Sequence, residues 1–232
     1  MPPKISCIVP VYNEAARVLS VLDVLVGHEL IDEVIVINDG STDGSEAILK
    51  KIKGIKLITY KKNKGKTHAL RLGIEASKNQ WIMTIDSDLV GLKKEDINAL
   101  IQPIENNVAD MTITLRKNSL MIFKLLGLDF VSGERIFKKE LIDNIDDLEK
   151  LPKFGFEVFL NRIIIRRQLK ISVVNWKNVI TPRKSVKFGF FAGVKGDSKM
   201  AFEIFSVIGL IGIFRQFKGM SSLIQTKYEQ GS

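Results

Sequence analysis

The chain has 232 residues, 45% of them hydrophobic, enough to bury one sizeable α/β core, and no Pro/Gly/Ser-rich linker divides it. A formal charge of +9 and a pI near 9.5 point to an anionic partner, either phosphate-bearing substrates or an anionic membrane surface, and the absence of a recognisable nucleic-acid motif argues against nucleic acid. One cysteine and two histidines without metal-ligand spacing exclude a disulfide framework and a structural zinc site, and a lone thiol fits a reducing compartment.

In chain order, Met1-Pro2-Pro3-Lys4 leads directly into a first strand, Ile5 to Val9, so no secretory signal is read and the amino terminus is expected in the cytosol. The strand runs into Pro10-Val11-Tyr12-Asn13-Glu14-Ala15 and then a Val- and Leu-rich helix over Ala16 to Val26. His28 follows a helix end at Gly27 and is expected on the surface. A second strand, Val34 to Ile37, ends in Asn38-Asp39-Gly40-Ser41-Thr42-Asp43-Gly44-Ser45, where glycine permits tight turns and Ser or Asp can cap the next helix. A carboxylate at Asp39 can accept the N–H of uracil or guanine without choosing between them. Lys56 to Tyr60 reads as a third strand, and Asn63-Lys64-Gly65-Lys66 as a basic loop entering a helix. Cations and free backbone N–H groups there favour phosphate, although such lysines also make an ordinary charged surface. His68, in the opening turn, reads as a capping or packing residue.

A fourth strand, Trp81 to Ile85, delivers Asp86-Ser87-Asp88 at its end, where open α/β sheets present ligand-binding groups. Extended backbone would point Asp86 and Asp88 the same way, and two adjacent hard oxygen donors suit Mg²⁺ or Mn²⁺ holding a diphosphate. Alone, the tripeptide is an ordinary turn or helix N-cap.

Taken in that order, Pro-Val-Tyr-Asn-Glu-Ala, Asp-Gly-Ser-Thr-Asp-Gly-Ser, Asn-Lys-Gly-Lys and Asp-Ser-Asp resemble glycosyltransferase family 2, over residues 4 to about 175. The resemblance implies the GT-A fold over residues 1–180: a Rossmann-like, doubly wound, mostly parallel sheet with helices on both faces, its nucleotide-sugar half ending near residue 90. It implies that Asp39 contacts the base, that Pro10, Val11, Tyr12, Asn13 and Glu14 line the nucleotide pocket, and that Asp86 and Asp88 serve ribose and metal. Lys66 joins them as a phosphate candidate. On the acceptor side, Ser132-Gly133-Glu134-Arg135 looks like the family's small-residue turn; Arg135 faces a phosphate or pairs with Glu134 or Glu140. Glu157, at the start of a helix running to about Leu169, is the general base if the acceptor is a hydroxyl, or simply an acid favoured by the helix dipole. A lipid phosphate is already ionised and needs no base. Asn161 stands where many polyprenyl-phosphate members carry a second acid.

The stretch from Asn175 to Ser198 is dense in Lys and Arg and interrupted by Phe188, Phe190 and Phe191, which suits a membrane interface. Arg183, Lys184 and Lys199 distantly resemble the basic region of polyprenyl-phosphate mannosyl- and glucosyltransferases and are candidates for the acceptor phosphate. The apolar run Phe202 to Phe217 is shorter than the roughly 20 residues that span a bilayer; it is expected as an interfacial amphipathic helix, or as one packed on the domain or in a dimer contact. The expectation is therefore a metal-dependent transfer, inverting as the resemblance implies, from a nucleotide diphosphate sugar to a polyprenyl phosphate or related lipid-linked acceptor, peripheral at the cytoplasmic membrane face, with 181–232 as an interface extension. The alternatives are transfer to a glycan hydroxyl through Glu157, and a non-catalytic nucleotide-sugar or lipid-binding protein. The sugar, the base and the oligomeric state stay open.

Overall fold

The computed structural model describes residues 2–151, 155–182, 212 and 214–229; Arg183, Lys184, Lys199 and most of the apolar run 202–217 lie outside them. Near-continuous apolar runs make strands that bury both faces, and eight form one sheet: β1 (Ile5–Val11), β2 (Glu33–Asp39), β3 (Ile55–Tyr60), β4 (Trp81–Thr84), β5 (Met111–Arg116), β6 (Arg135–Lys138), β7 (Ile171–Trp176) and β8 (Ile224–Glu229). Their order is β3-β2-β1-β4-β6-β5-β7-β8. Only β6 runs antiparallel to its neighbours, β4 and β5; the remaining pairs are parallel.

Helices cover both faces, and the two-residue period of the strands sorts the core between them. Ile5, Cys7, Val9 and Val11 of β1 pack with α1 (Val18–Leu25), Leu49 of α2 (Ser45–Leu49) and α4 (Lys94–Glu105). Ile8, Ile35 and Ile37 face the other way, onto α3 (Lys66–Ala76), α6 (Phe156–Arg167) and a helix at 214–221, here α7. A short helix, α5 (Met121–Leu126), lies between β5 and β6. This is the doubly wound, mostly parallel sheet of a GT-A fold.

Strand order reverses at β1, and there the crevice opens. Pairing of β1 with β4 runs from Ile5 opposite Trp81 to Ile8 opposite Thr84, whereas pairing with β2 continues to Val11 opposite Asn38. The ladder stops on the β4 side before Pro10, which has no N–H to give it. Two sequence expectations change. His28 is buried, 4% exposed, with Nδ1 accepting the Leu30 N–H at 3.2 Å. Within the segment set apart as an extension, β8 pairs with β7 while Met220 and Leu223 enter the core.

Candidate active site

At the carboxyl ends of β1 and β2, two loops are laced together by side chains. Asn13 adopts φ 55°, a left-handed conformation that Asn tolerates better than most residues. Its N–H donates to Ser41 Oγ at 3.0 Å and its Oδ1 accepts from the Thr42 N–H at 2.8 Å. The Glu14 N–H donates to Ser45 Oγ at 3.0 Å, and the Ala15 N–H to Asp43 Oδ2 at 2.9 Å. The Glu14 carboxylate pairs with Arg17 at 3.3 Å. Asn13 and Glu14 thus hold the rim in shape, while the neighbouring Tyr12 is left 47% exposed.

Asp39 closes β2 and is 3% exposed. Its carboxylate accepts from the N–H groups of Lys64 at 2.7 Å and Gly65 at 2.9 Å, and from Asn63 Nδ2 at 2.8 Å. A carboxylate offers about four acceptor sites, so most of Asp39's capacity is spent ordering the basic loop. Burial, then the Asp39 charge, push the Tyr60 hydroxyl pKa up. Gly40 makes the crossing possible: at φ +66°, a Cβ there would stand 2.6 Å from the Asn63 nitrogen.

The basic loop ends at Lys66, the first residue of α3. Its Nζ lies 2.6 Å from Asp86 Oδ1 and 3.0 Å from Glu157 Oε1, joining the segment after β4 to the first turn of α6. Burial alone would depress the Lys66 pKa; Asp86 and Glu157 outweigh it and raise it. Conversely, burial works to raise Asp86, but Lys66 and then Arg116 hold it below the usual carboxylate range. Asp86 and Asp88 do not follow the extended geometry expected of them, because β4 ends at Thr84 and a turn begins at Ser87. Burial works against the Arg116 charge, but Glu134, Asp129 and then Asp86 and Asp88 outweigh it and raise its pKa.

Arg116 was missed by sequence reasoning, together with its partners. It ends β5, and its Nη1 contacts Glu134 Oε1 at 3.0 Å and Thr181 Oγ1 at 2.7 Å, with Asp129 3.7 Å from Nη2. Glu134 is fully buried and also accepts from Thr114 Oγ1 and Ser132 Oγ. Burial raises its pKa, against the pull of Arg116. The signal was present: a charged residue closing an apolar strand is the feature that marked Asp39 and Asp86.

Arg135 requires a correction. It is neither a surface ion pair nor open to a phosphate, because its guanidinium is fully buried. Nε donates to the Ser132 carbonyl, Nη2 to the Phe130 carbonyl and Nη1 to Asn161 Oδ1, each at 2.6 Å. Burial lowers its pKa to about 10, with Glu157 opposing. Asn161 also donates to the Phe130 carbonyl at 2.8 Å and to Gln216 of α7 at 3.2 Å. The side chain standing in place of an acid is therefore a brace. The loop it supports carries Gly133, where a Cβ would meet Lys66 Nζ and sit 2.8 Å from Asp86 Oδ2. His68 packs edge-on against Tyr60 at 5.5 Å, as a packing residue should.

The sequence profile of Glycosyl transferase family 2 matches residues 6–167. The chain belongs to that family. It is 28% identical over 177 residues to a dodecaprenyl-phosphate galacturonate synthase of Rhizobium johnstonii, covering 72% of this chain and 50% of the relative. It is 25% identical over 177 residues to a dolichyl-phosphate beta-glucosyltransferase of Dictyostelium discoideum, covering 70% and 50%. The chain thus spans about half the length of these curated relatives. A structure of glucosyl-3-phosphoglycerate synthase from Mycobacterium tuberculosis with Mn²⁺, uridine diphosphate and glucosyl-3-phosphoglycerate superposes with a TM-score of 0.69 at 22% identity, covering 93% of this chain and 80% of that one. At that identity, the likeness bears on the fold.

Proposed function

We propose that this chain transfers a sugar, with inversion, from a nucleoside diphosphate sugar to a polyprenyl phosphate or related lipid-linked acceptor at the cytoplasmic membrane face. The observation carrying this reading is the bridge that Lys66 makes between Asp86, past the carboxyl end of β4, and Glu157 on α6, with Asp86 and Asp88 close enough for their charges to reach Arg116. The relatives whose names specify dodecaprenyl and dolichyl phosphate support the acceptor class.

In this reading Tyr12 and the loop ordered by Asp39 form the base pocket, bounded by Pro10, Val11, Asn13 and Glu14. Lys66 stabilises the negative charge that grows on the departing diphosphate, as a preorganised cation that needs no reorganisation. Asp86 and Asp88 fit a hard divalent cation. Among the described residues no group of three or more His, Cys, Asp or Glu side chains is placed to hold a metal ion, so diphosphate oxygens and water would complete the shell, the usual arrangement for Mg²⁺. Bound there, Mg²⁺ or Mn²⁺ would supply Lewis-acid assistance to the leaving group. A phosphate acceptor is already anionic, so the protein's task is to orient it.

Melting the protein with uridine and guanosine diphosphate sugars, with and without Mn²⁺, tests donor and metal together, because a ligand of the native state raises stability by mass action. Asp88→Ala should keep the fold and abolish both Mn²⁺ dependence and transfer. Near wild-type turnover in that variant would remove Asp88 from the reaction. The second reading, a hydroxyl acceptor with Glu157 as base, meets one obstacle: one oxygen of Glu157 is already committed to Lys66 at 3.0 Å. Glu157→Gln decides between them, since a loss of about 10²-fold or more in kcat is expected only where a base is required.

A further inference from the structure

Eight large hydrophobic side chains are exposed among the described residues, and four fall within seven consecutive positions on and before α5: Leu120 at 64%, Met121 at 71%, Leu125 at 80% and Leu126 at 40%. Apolar residues scattered singly over a surface need no explanation, but a contiguous group does. Met121 and Leu125 stand one helical turn apart and share a face. The opposite side is anchored, because Phe123 packs edge-on against Phe130 at 5.4 Å and Phe130 against Phe217 of α7 at 6.5 Å. A fifth exposed apolar residue, Phe214 at 66%, lies one turn before Phe217.

Among the described residues, the charges on and just before α5 and on α7 are all positive. Lys117, Lys124, Arg215 and Lys218 are all exposed, and residues 117–126 include no acid. The face is also wired to the candidate active site. Ser119, just before α5, accepts the Arg116 N–H at 3.1 Å and donates to Asp129 Oδ2 at 2.7 Å, and Asp129 lies beside the Arg116 guanidinium.

We infer that α5 is a membrane-docking element: Leu120, Met121, Leu125 and Leu126 enter the headgroup boundary of an anionic bilayer, while Lys117, Lys124, Arg215 and Lys218 meet its phosphates. Apolar burial and electrostatic attraction act together in such contacts, and neither needs a spanning helix. Docking there sets the Arg116 end of the site at headgroup depth, where a lipid phosphate lies. The inference deepens the lipid-acceptor reading and rests on it only for what enters the site.

The test is sedimentation of the full chain with phosphatidylcholine vesicles, with and without phosphatidylglycerol, for wild type, the double variant Met121→Glu/Leu125→Glu, and Leu19→Glu. Leu19 is an exposed apolar residue of α1, 45% accessible, away from α5. The double variant should lose about tenfold or more in partitioning onto anionic vesicles, whereas Leu19→Glu should bind as wild type does. Leu125→Trp should shift its emission to the blue only when anionic vesicles are present. Circular dichroism and calorimetric binding of uridine or guanosine diphosphate with Mn²⁺ should be unchanged in the double variant. Unchanged partitioning of the double variant overturns the inference. So does a wild-type dimer that the double variant splits without vesicles, since the face would then bind a second copy. If wild type binds vesicles but neither nucleotide, the function proposed above fails and the docking surface stands.

Discussion

Arg135 shows how a single buried residue can shape a candidate site from behind it. Its three hydrogen bonds fix the carbonyls of Phe130 and Ser132 and the side chain of Asn161, and so set the height of the 132–134 loop under Asp86 and Lys66. Arg135→Leu strands two of those acceptors, the Ser132 carbonyl and Asn161 Oδ1, because Asn161 still serves Phe130. Leaving buried polar groups unpaired is costlier than never burying them, so the variant should lose about 2–4 kcal/mol in urea unfolding. Adding Asn161→Leu should cost more again, because the Phe130 carbonyl and Gln216 Oε1 then lose their donor, but the two costs should be less than additive, since only the single variants leave one partner of the Arg135 to Asn161 bond unpaired. Strict additivity of the two costs would show that Arg135 and Asn161 are not coupled. Asp39 teaches the complementary point: the sequence located it, but not the three donors of the 63–65 loop that fill its oxygens. A strand-terminal acid is legible from pattern alone. Whether that acid faces a ligand or a loop depends on long-range packing that pattern does not encode.

At the scale of elements, the parallel half of the sheet was readable because each strand is an apolar run punctuated by Gly, Asp or Asn. The β6 strand follows a segment read as a small-residue turn, and its antiparallel insertion between β4 and β5 follows from pairing partners far apart in sequence. That insertion is what brings Gly133 and Glu134 beneath Asp86: Thr84, the last residue of β4, donates from Oγ1 to the Gly133 carbonyl at 2.7 Å. The absence of a side chain at Gly133 then lets the Lys66 to Asp86 ion pair form above it. In Gly133→Ala the methyl group would meet flexible side-chain ends rather than backbone, so the fold should change by less than about 1 kcal/mol. The ion pair must move, and misplacement of about 1 Å can cost 10²-fold in rate. Measured kcat/KM against melting temperature separates the two effects. Wild-type kcat/KM in a folded Gly133→Ala protein would remove the Lys66 to Asp86 pair from the chemistry.

Over the whole molecule, the carboxy-terminal segment is where sequence and structure part most. Its basic and apolar composition suggested an appendage to a domain ending near residue 180, yet β8 pairs with β7 from Ile171 opposite Ile224 to Asn175 opposite Glu229. Gln216 donates to the Val158 carbonyl at 3.0 Å inside the protein, and Met220 and Leu223 are 0% and 7% exposed. The composition was read correctly as apolar; what it could not say was that the apolar face of α7 is turned inward against α6. Each such side chain contributes about 1.5–3 kcal/mol when buried, so removing Met220 and Leu223 alone forfeits about 3–6 kcal/mol of the 5–15 kcal/mol that typically holds a domain together. Deletion also leaves β7 as an unpaired edge, a template for aggregation. Truncation after Met200 should therefore lower the melting temperature sharply and drive the protein into high-molecular-mass fractions on gel filtration, with nucleotide binding lost in proportion to the unfolded fraction. A monomeric 1–200 fragment melting with the full chain would mean that β8 and α7 sit on a domain already complete without them.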